Sequence, residues 1–328
     1  IAQAKVKGYK IHKNSFVGMT YAITCSSAGI SIAAPLFAAS PGFLKSLVSP
    51  ESAALLPDSL PLNQTVLLPQ VLTQVLALGL MAIIVVVAMT PKNDESIEEI
   101  SDEFKNEVLS TGSGKRIKNI TPAEKMNNSP ILNIVIGVMG MYWAIKMLAA
   151  QGIVGISIDN YNFLMLMLGV LLCWTPAKFT AIVKEACGAI WGVVIQFPFY
   201  AGIFGIIAFT GLNHVIAGAF VSISTAHTFP WIAYLYSAIL NFFVPSGGSK
   251  FIIEAPYIIP AAQQLGADLS ATLNAYSFGD LTTNLIQPFW ALPILAMYKL
   301  KFKDILPYGF VVAVLALIIN SVWMLCFY

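Results

Sequence analysis

Long apolar runs dominate the chain, and their lengths are its first readable signal. Residues 16–37, 66–89, 131–150, 186–209 and 305–327 each come close to the about 20 residues that cross a bilayer core as a helix. A shorter run, 163–174, reaches that length if it extends back to Ile156 or on to Lys178. Between residues 229 and 297 the apolar pattern is broken three times. The interruptions are Asn241-Phe-Phe-Val-Pro-Ser-Gly-Gly-Ser-Lys250, Ala255-Pro-Tyr-Ile-Ile-Pro260 and Gly279-Asp-Leu-Thr-Thr-Asn284. Irregular backbone at membrane depth has no partners in lipid, so it survives only inside protein or beside a watery cavity. The pattern predicts a re-entrant hairpin over residues 229–264 with its tip at 245–250. It also predicts a crossing helix over 273–298 that is unwound near 279–284.

Composition agrees with lipid as the main solvent. Of the 328 residues, 57% are hydrophobic and 10% charged, against about 25% charged in a soluble domain. The net charge of +2 is small and not gathered into a stripe, which argues against nucleic acid as a partner. Lysine placement tests the topology. Lys5, Lys7, Lys10 and Lys13 precede the first run, and Lys92, Lys105, Lys115, Arg116, Lys118 and Lys125 follow the second. Lys178 and Lys184 lie between 163–174 and 186–209, and Lys299, Lys301 and Lys303 precede the last run. The positive-inside rule puts these groups in the cytoplasm, and the parity closes only if 229–264 enters and leaves on the outer side. Cys25, Cys173, Cys187 and Cys326 lie in or beside apolar segments without paired spacing, as small buried hydrophobes do.

This reading divides the chain into residues 1–89, the end of a first repeat; 90–130, a cytoplasmic linker; and 131–328, a second repeat. The linker contains an acidic stretch at 94–103 that predicts a short helix and a flexible Thr111-Gly-Ser-Gly-Lys-Arg116. It lacks the spacing of a phosphate loop, and no ATP site is visible elsewhere, so a gradient is the expected energy source. Thr24-Cys-Ser-Ser-Ala-Gly-Ile-Ser31 interrupts the first run in the style of residues 277–284 but in the opposite direction. Two such breaks suggest an inverted repeat. Its other hairpin would precede residue 16, so the chain is read as lacking an N-terminal portion. The fold class is an all-α polytopic membrane bundle with a re-entrant hairpin and broken helices.

Broken helices bind solutes by pointing half-helix N-termini at anions, while freed carbonyls and side-chain oxygens hold Na⁺ or take part in H⁺ coupling. Pro245 stops one half-helix, Gly247 and Gly248 permit close backbone approach, and Ser246 or Ser249 can cap the return. Asp280, Asn284 and Gln287 share a face, and an ionisable residue inside a span is a functional candidate, although Asp280 can also simply cap a half-helix. Asn241, Ser246, Gly247, Gly248, Asn284, Gln287 and Ser31 are the candidate substrate ligands. Asp280, Ser26 and Ser27 are the candidates for ion coupling. Phe242, Phe289 and Trp290 could form an apolar wall or only pack. Lys250 and Glu254, four apart, are expected to pair with each other. Lys146 is expected to snorkel, and Gln196 and Tyr200 either line a cavity or pack. No metal-ligand spacing and no nucleophile–base pairing is visible, so no enzyme activity, metal or cofactor is expected beyond a coupling Na⁺ or H⁺.

Asn241-Phe-Phe-Val-Pro-Ser-Gly-Gly248, Pro260-Ala-Ala-Gln-Gln-Leu-Gly-Ala-Asp268 and Gln287-Pro-Phe-Trp-Ala-Leu-Pro293 closely resemble the bacterial short-chain fatty acid transporter family. Gln196-Phe-Pro-Phe-Tyr-Ala-Gly202 and Pro35-Leu-Phe-Ala-Ala-Ser-Pro-Gly42 fit the same pattern. The resemblance implies uptake of acetoacetate- or butyrate-like monocarboxylates across the bacterial inner membrane by an ion-coupled, elevator-like homodimer. The chain departs from the pattern in places. Only Gly29 and Ser31 match the family's glycine-rich run before a serine, and Lys250 and Glu254 stand where members more often carry uncharged or weakly basic residues. Lys250 keeps a dicarboxylate or amino acid substrate open as the alternative. A membrane-embedded enzyme would need a nucleophile–base pair or a metal cluster, and neither is visible; a channel, the remaining alternative, need not have occluding hairpins.

Overall fold

The computed structural model describes residues 12–26, 29, 32–92, 121–152, 155–298 and 300–328, and these are helical with no strand among them. The acidic stretch at 94–103 and the flexible 111–116 lie outside the described residues. The helices are α1 Lys13–Ser26, α2 Ala33–Ala38, α3 Phe43–Leu47, α4 Pro50–Ala54, α5 Pro69–Met89, α6 Pro122–Asn127, α7 Ile131–Gln151 and α8 Ile158–Cys173. They continue with α9 Pro176–Phe209, α10 Leu212–Ile223, α11 Phe229–Leu240, α12 Gly247–Leu265, α13 Leu269–Asn284, α14 Leu292–Tyr298 and α15 Phe302–Phe327.

Of the described helices, α5, α7 and α15 are each long and apolar enough to cross a bilayer. Residues Val194–Phe209 of α9 and the whole of α10 form a pair bent by 75°. The chain is a multi-pass membrane protein. Its exposed surface is apolar where lipid would lie, with Leu76, Ile84, Met139, Phe199 and Val322 among many large hydrophobic side chains facing outward. The α9 helix starts at Pro176, well before residue 186, because Thr175 caps it and Pro occupies its first position, where a missing N–H costs nothing.

The core forms around α13. Every residue from Ala271 to Asp280 is buried, although Thr272, Asn274, Ser277 and Asp280 are polar. A helix buried all round is normally apolar, so this one marks the region where the chain keeps its polar groups. It is held on one side by α11, through Tyr234 and Phe278, and on another by α15, through Ala316 and Met324. The half-helix α12 packs Phe251, Ala255 and Ile259 against Ala34 and Ala38 of α2 and against Leu273 and Tyr276 of α13.

Two expected interruptions are absent. Helix α12 runs unbroken from Gly247 to Leu265 through Pro256 and Pro260, in keeping with the tolerance of membrane helices for proline where neighbours cover the freed carbonyls. Residues 279–284 are helical rather than unwound. The hydroxyls of Thr282 and Thr283 turn back onto the carbonyls of Phe278 and Gly279, so these polar residues sit in a helix without competing for its backbone. The break falls instead after Asn284. Pro288 stands there, and a proline disfavours a helical conformation in the residue before it. Phe289–Ala291 then forms a single 3₁₀ turn leading into α14.

A buried polar chain crosses the bundle beside this core. Tyr328 Oη donates to Gln74 Oε1 at 2.8 Å, Gln74 Nε2 to Asn320 Oδ1 at 2.8 Å, and Asn320 Nδ2 to Thr282 Oγ1 at 3.2 Å. Tyr234 Oη lies 3.1 Å from the same Thr282 oxygen. Interhelical hydrogen bonds in membrane proteins average about 0.6 kcal/mol. Asn320→Leu breaks two of them and leaves Gln74 short of an acceptor. It is expected to destabilise the folded protein by about 1–2 kcal/mol, read as a lower melting temperature in detergent.

Candidate functional site

The turn between α11 and α12, at residues 241–246, sits where two half-helices meet. They run antiparallel. Tyr236 and Tyr257 bring their hydroxyls to 2.8 Å, and Phe229 packs with Ile258. Ser246 opens α12 as its cap, its Oγ accepting from the Ser249 amide at 3.3 Å, so Ser246 and not Ser249 does the capping. The first amides of any helix have no acceptor within it, and here they belong to Gly247 and Gly248. A Cβ at Gly247 would stand 3.0 Å from Asp280 Oδ2, and without one the backbone approaches that carboxylate.

Between this turn and α13 lies a cavity of about 310 Å³, lined by Ile32, Ala33, Ser246, Gly247, Gly248, Tyr276, Ser277, Asp280, Leu281, Asn284 and Trp290. Of the residues singled out from sequence, Ser246, Gly247, Gly248, Asp280 and Asn284 meet here. Trp290 is the member of the expected apolar wall that lines it, with Ile32 and Leu281 supplying the rest. Phe242 and Phe289 are not among the lining residues, and Phe242 is exposed.

Asn241 and Gln287 are placed differently. Asn241 is fully buried, and its Nδ2 faces the Asp280 carbonyl at 3.1 Å, Thr283 Oγ1 at 3.0 Å and Asn284 Oδ1 at 2.8 Å. It ties the hairpin turn to the end of α13. Gln287 Oε1 accepts from the Phe289 amide at 2.8 Å and so holds the shape of the break at 285–288. Ser26 spends its hydroxyl on the Ala22 carbonyl at 2.6 Å. Ser27 and Ser31 lie outside the described residues.

Lys250 does not pair with Glu254. Its Nζ lies 3.1 Å from Asp280 Oδ1 and donates to Ser237 Oγ at 2.8 Å and to the Ser237 carbonyl at 2.9 Å. The hairpin fold brings Ser237 and α13 to the lysine, a long-range proximity that the i,i+4 spacing to Glu254 could not reveal. Ser237, absent from the sequence candidates, also donates its hydroxyl to the Tyr276 carbonyl at 2.6 Å. A lone serine in an apolar helix is the weak signal that could have found it. Glu254 is 0% exposed, with the Tyr276 hydroxyl as its polar neighbour. On the other side of Asp280, Asn284 Nδ2 lies 3.4 Å from Oδ2.

The break at 285–288 is covered from α1, where the Tyr21 hydroxyl faces the carbonyls of Asn284 and Gln287. A second cavity, of about 300 Å³, lies between α9 and α12 and is lined by Phe197, Tyr200, Ala201, Phe204, Ser249, Ile252 and Ile253. Tyr200 thus lines a largely apolar cleft and bonds to Gln196 at 2.9 Å. Lys146 reaches back over the Tyr142 ring, 5.7 Å from its centroid.

The cavity offers half-helix amides, a hydroxyl, an amide side chain and a carboxylate on one side and aliphatic and indole surface on the other. A small molecule with one hydrogen-bonding end and one apolar end fits such a lining. A candidate short-chain fatty acid transporter of Escherichia coli (strain K12) is 38% identical over 191 residues, 58% of this chain and 43% of that protein. Its counterpart in Haemophilus influenzae is 37% identical over 189 residues, 58% of this chain and 42% of its own length. A candidate basic amino acid antiporter of Escherichia coli is 27% identical over 117 residues, 35% of this chain and 21% of that protein. The chain thus spans less than half the length of the curated relatives it matches. No solved structure matches it. The family model described as short chain fatty acid transporter matches residues 3–327, and the chain belongs to that family.

Proposed function

We propose that the protein is a secondary transporter that takes up short-chain monocarboxylates across the bacterial inner membrane, driven by an H⁺ or Na⁺ gradient. The observation that carries this reading is the cavity between the hairpin turn and α13. Its volume of about 310 Å³ lies at the small end of ligand sites, which run about 300–1,000 Å³. The amides of Gly247 and Gly248 and the dipole of α12 favour a carboxylate, while Ile32, Leu281 and Trp290 suit a short alkyl tail. Lys250 is the side chain that could have favoured a substrate with a second carboxylate. Its charge is met by Asp280, which weakens the dicarboxylate reading. In this function 229–265 acts as a re-entrant hairpin, and its turn forms one wall of the substrate site.

The test is uptake of labelled butyrate by the full-length protein in vesicles, with Na⁺ and H⁺ gradients imposed separately. Accumulation under one gradient supports the reading, and none under either gradient overturns it. Ser246→Ala removes a cap and a hydroxyl at the cavity. It is expected to raise the apparent KM for butyrate by about 5-fold with a smaller effect on the maximal rate.

A further inference from the structure

Lys250 carries a charge at 0% exposure, and the way it is satisfied is specific. Its ammonium meets a backbone carbonyl at 2.9 Å, a hydroxyl at 2.8 Å and a carboxylate oxygen at 3.1 Å. A further side is closed by the Tyr276 ring, 4.9 Å from Nζ to the centroid. A carbonyl, a hydroxyl and a carboxylate converging on one point are the oxygen ligands that a hard metal cation takes, and broken-helix transporters place such oxygens around Na⁺. Here the point is filled by a cation that the chain carries itself.

We propose that Lys250 is a tethered substitute for a coupling Na⁺ at Asp280, so that Na⁺ does not bind there and Asp280 exchanges its charge with a proton. A Na⁺ on the same oxygens would sit beside the ammonium, and like charges in a dry site strongly disfavour each other. Asp280 lies between the cavity, which it lines, and Lys250 behind it. A proton arriving from the cavity onto the Asp280 carboxylate neutralises the counter-charge of Lys250, and the uncompensated ammonium behind it then favours a substrate carboxylate in the cavity. The Lys250–Asp280 pair is neutral when empty. With one proton and one monocarboxylate bound, the group is neutral again. Either one alone would leave a net charge to be carried through a low-dielectric layer, which is a physical basis for moving them together. Among the described residues, the titratable groups that interact electrostatically with Asp280 besides Lys250 are Cys25 of α1, Glu254 of α12 and Tyr276 of α13 itself. Among these, Glu254 is the rival proton acceptor. The use of the pair in coupling rests on the transporter reading, whereas the filling of the cation site does not.

The test uses the purified full-length protein. Melting temperatures are compared in sodium and choline chloride, and proton uptake on adding butyrate is followed in weakly buffered detergent solution. The wild type is expected to melt at the same temperature in both salts and to take up about one proton per butyrate bound. Lys250→Ala, which empties the oxygen site, is expected to gain radioactive sodium binding and a sodium-dependent rise in melting temperature; Lys250→Arg is not. Asp280→Asn is expected to abolish the proton uptake and Glu254→Gln to leave it intact. Sodium stabilisation of the wild type that disappears in Asp280→Asn overturns the proposal, even if Lys250→Ala fails to fold. A folded Lys250→Ala that binds no sodium, or proton uptake lost in Glu254→Gln but kept in Asp280→Asn, overturns it as well. Failure of the wild type to bind or transport butyrate would instead overturn the transporter reading, with the sodium measurements still legible.

Discussion

Asp280→Ala is expected to lower stability sharply and to abolish uptake, and Lys250→Ala in the same chain is expected to restore most of the stability but none of the uptake. The single change strands a fully buried ammonium with only the two oxygens of Ser237 as acceptors. Breaking a buried pair from one side costs about 3–5 kcal/mol, mostly as the penalty of the charge left behind. Removing both charges relieves that penalty and leaves a small void in its place. The non-additivity of the cycle is therefore the diagnostic quantity. It is read from melting or denaturant unfolding in detergent, with butyrate uptake measured on the same variants. Additive single effects would mean that the two side chains do not form an energetic unit.

Gly279→Ala should be nearly as damaging, for a reason unrelated to charge. A Cβ at that position would run into the Tyr234 carbonyl oxygen and would lie 3.0 Å from the Ala238 amide nitrogen and 3.0 Å from Ser237 Cβ. Two of these atoms are backbone, so no side-chain rotation can make room, and α11 and α13 must separate. Overpacking a tight core costs about 1–3 kcal/mol, and a backbone clash belongs at the upper end. The separation would also pull Ser237 from Lys250 and Asn241 from the end of α13. The expected result is little monodisperse protein on size-exclusion chromatography. Gly202→Ala, where nothing lies within 4 Å of the added carbon, should behave like the wild type.

The parts of the fold that were legible in the sequence are those where lipid imposes a one-dimensional rule. Residues 66–89, 131–150 and 305–327 coincide closely with α5, α7 and α15 because a membrane helix must satisfy its backbone within its own run of apolar residues. The location of the second break was not legible. Gly279, Thr282 and Thr283 have the composition of a turn, yet Gly279 is there for close helix packing, and the threonines bond within the helix. Pro288, which lies past the expected interruption at 279–284, marks the true break. The cavity members Ser246, Gly247, Gly248, Asp280 and Asn284 were found through chemistry that acts locally, as caps, close approach and a buried acid. Asn241 and Gln287 carry equally polar side chains but direct them at the backbone. Only three-dimensional pairing separates the two uses, and the same holds for the partner of Lys250.

The Tyr21 hydroxyl has a mechanical consequence. A helix break that serves as a joint must let its carbonyls change partners, usually to water. The carbonyls of Asn284, which ends α13, and of Gln287, within the break at 285–288, are instead fastened from α1 by one phenol. Ala291 and Leu295, just past the break, are embedded in the same cluster as Val17, Tyr21 and Ala22. The bend is thus a weld rather than a pivot. Helices α1, α13 and α14 are fastened into a single piece, and any bending of the bundle is expected in the connections around that piece.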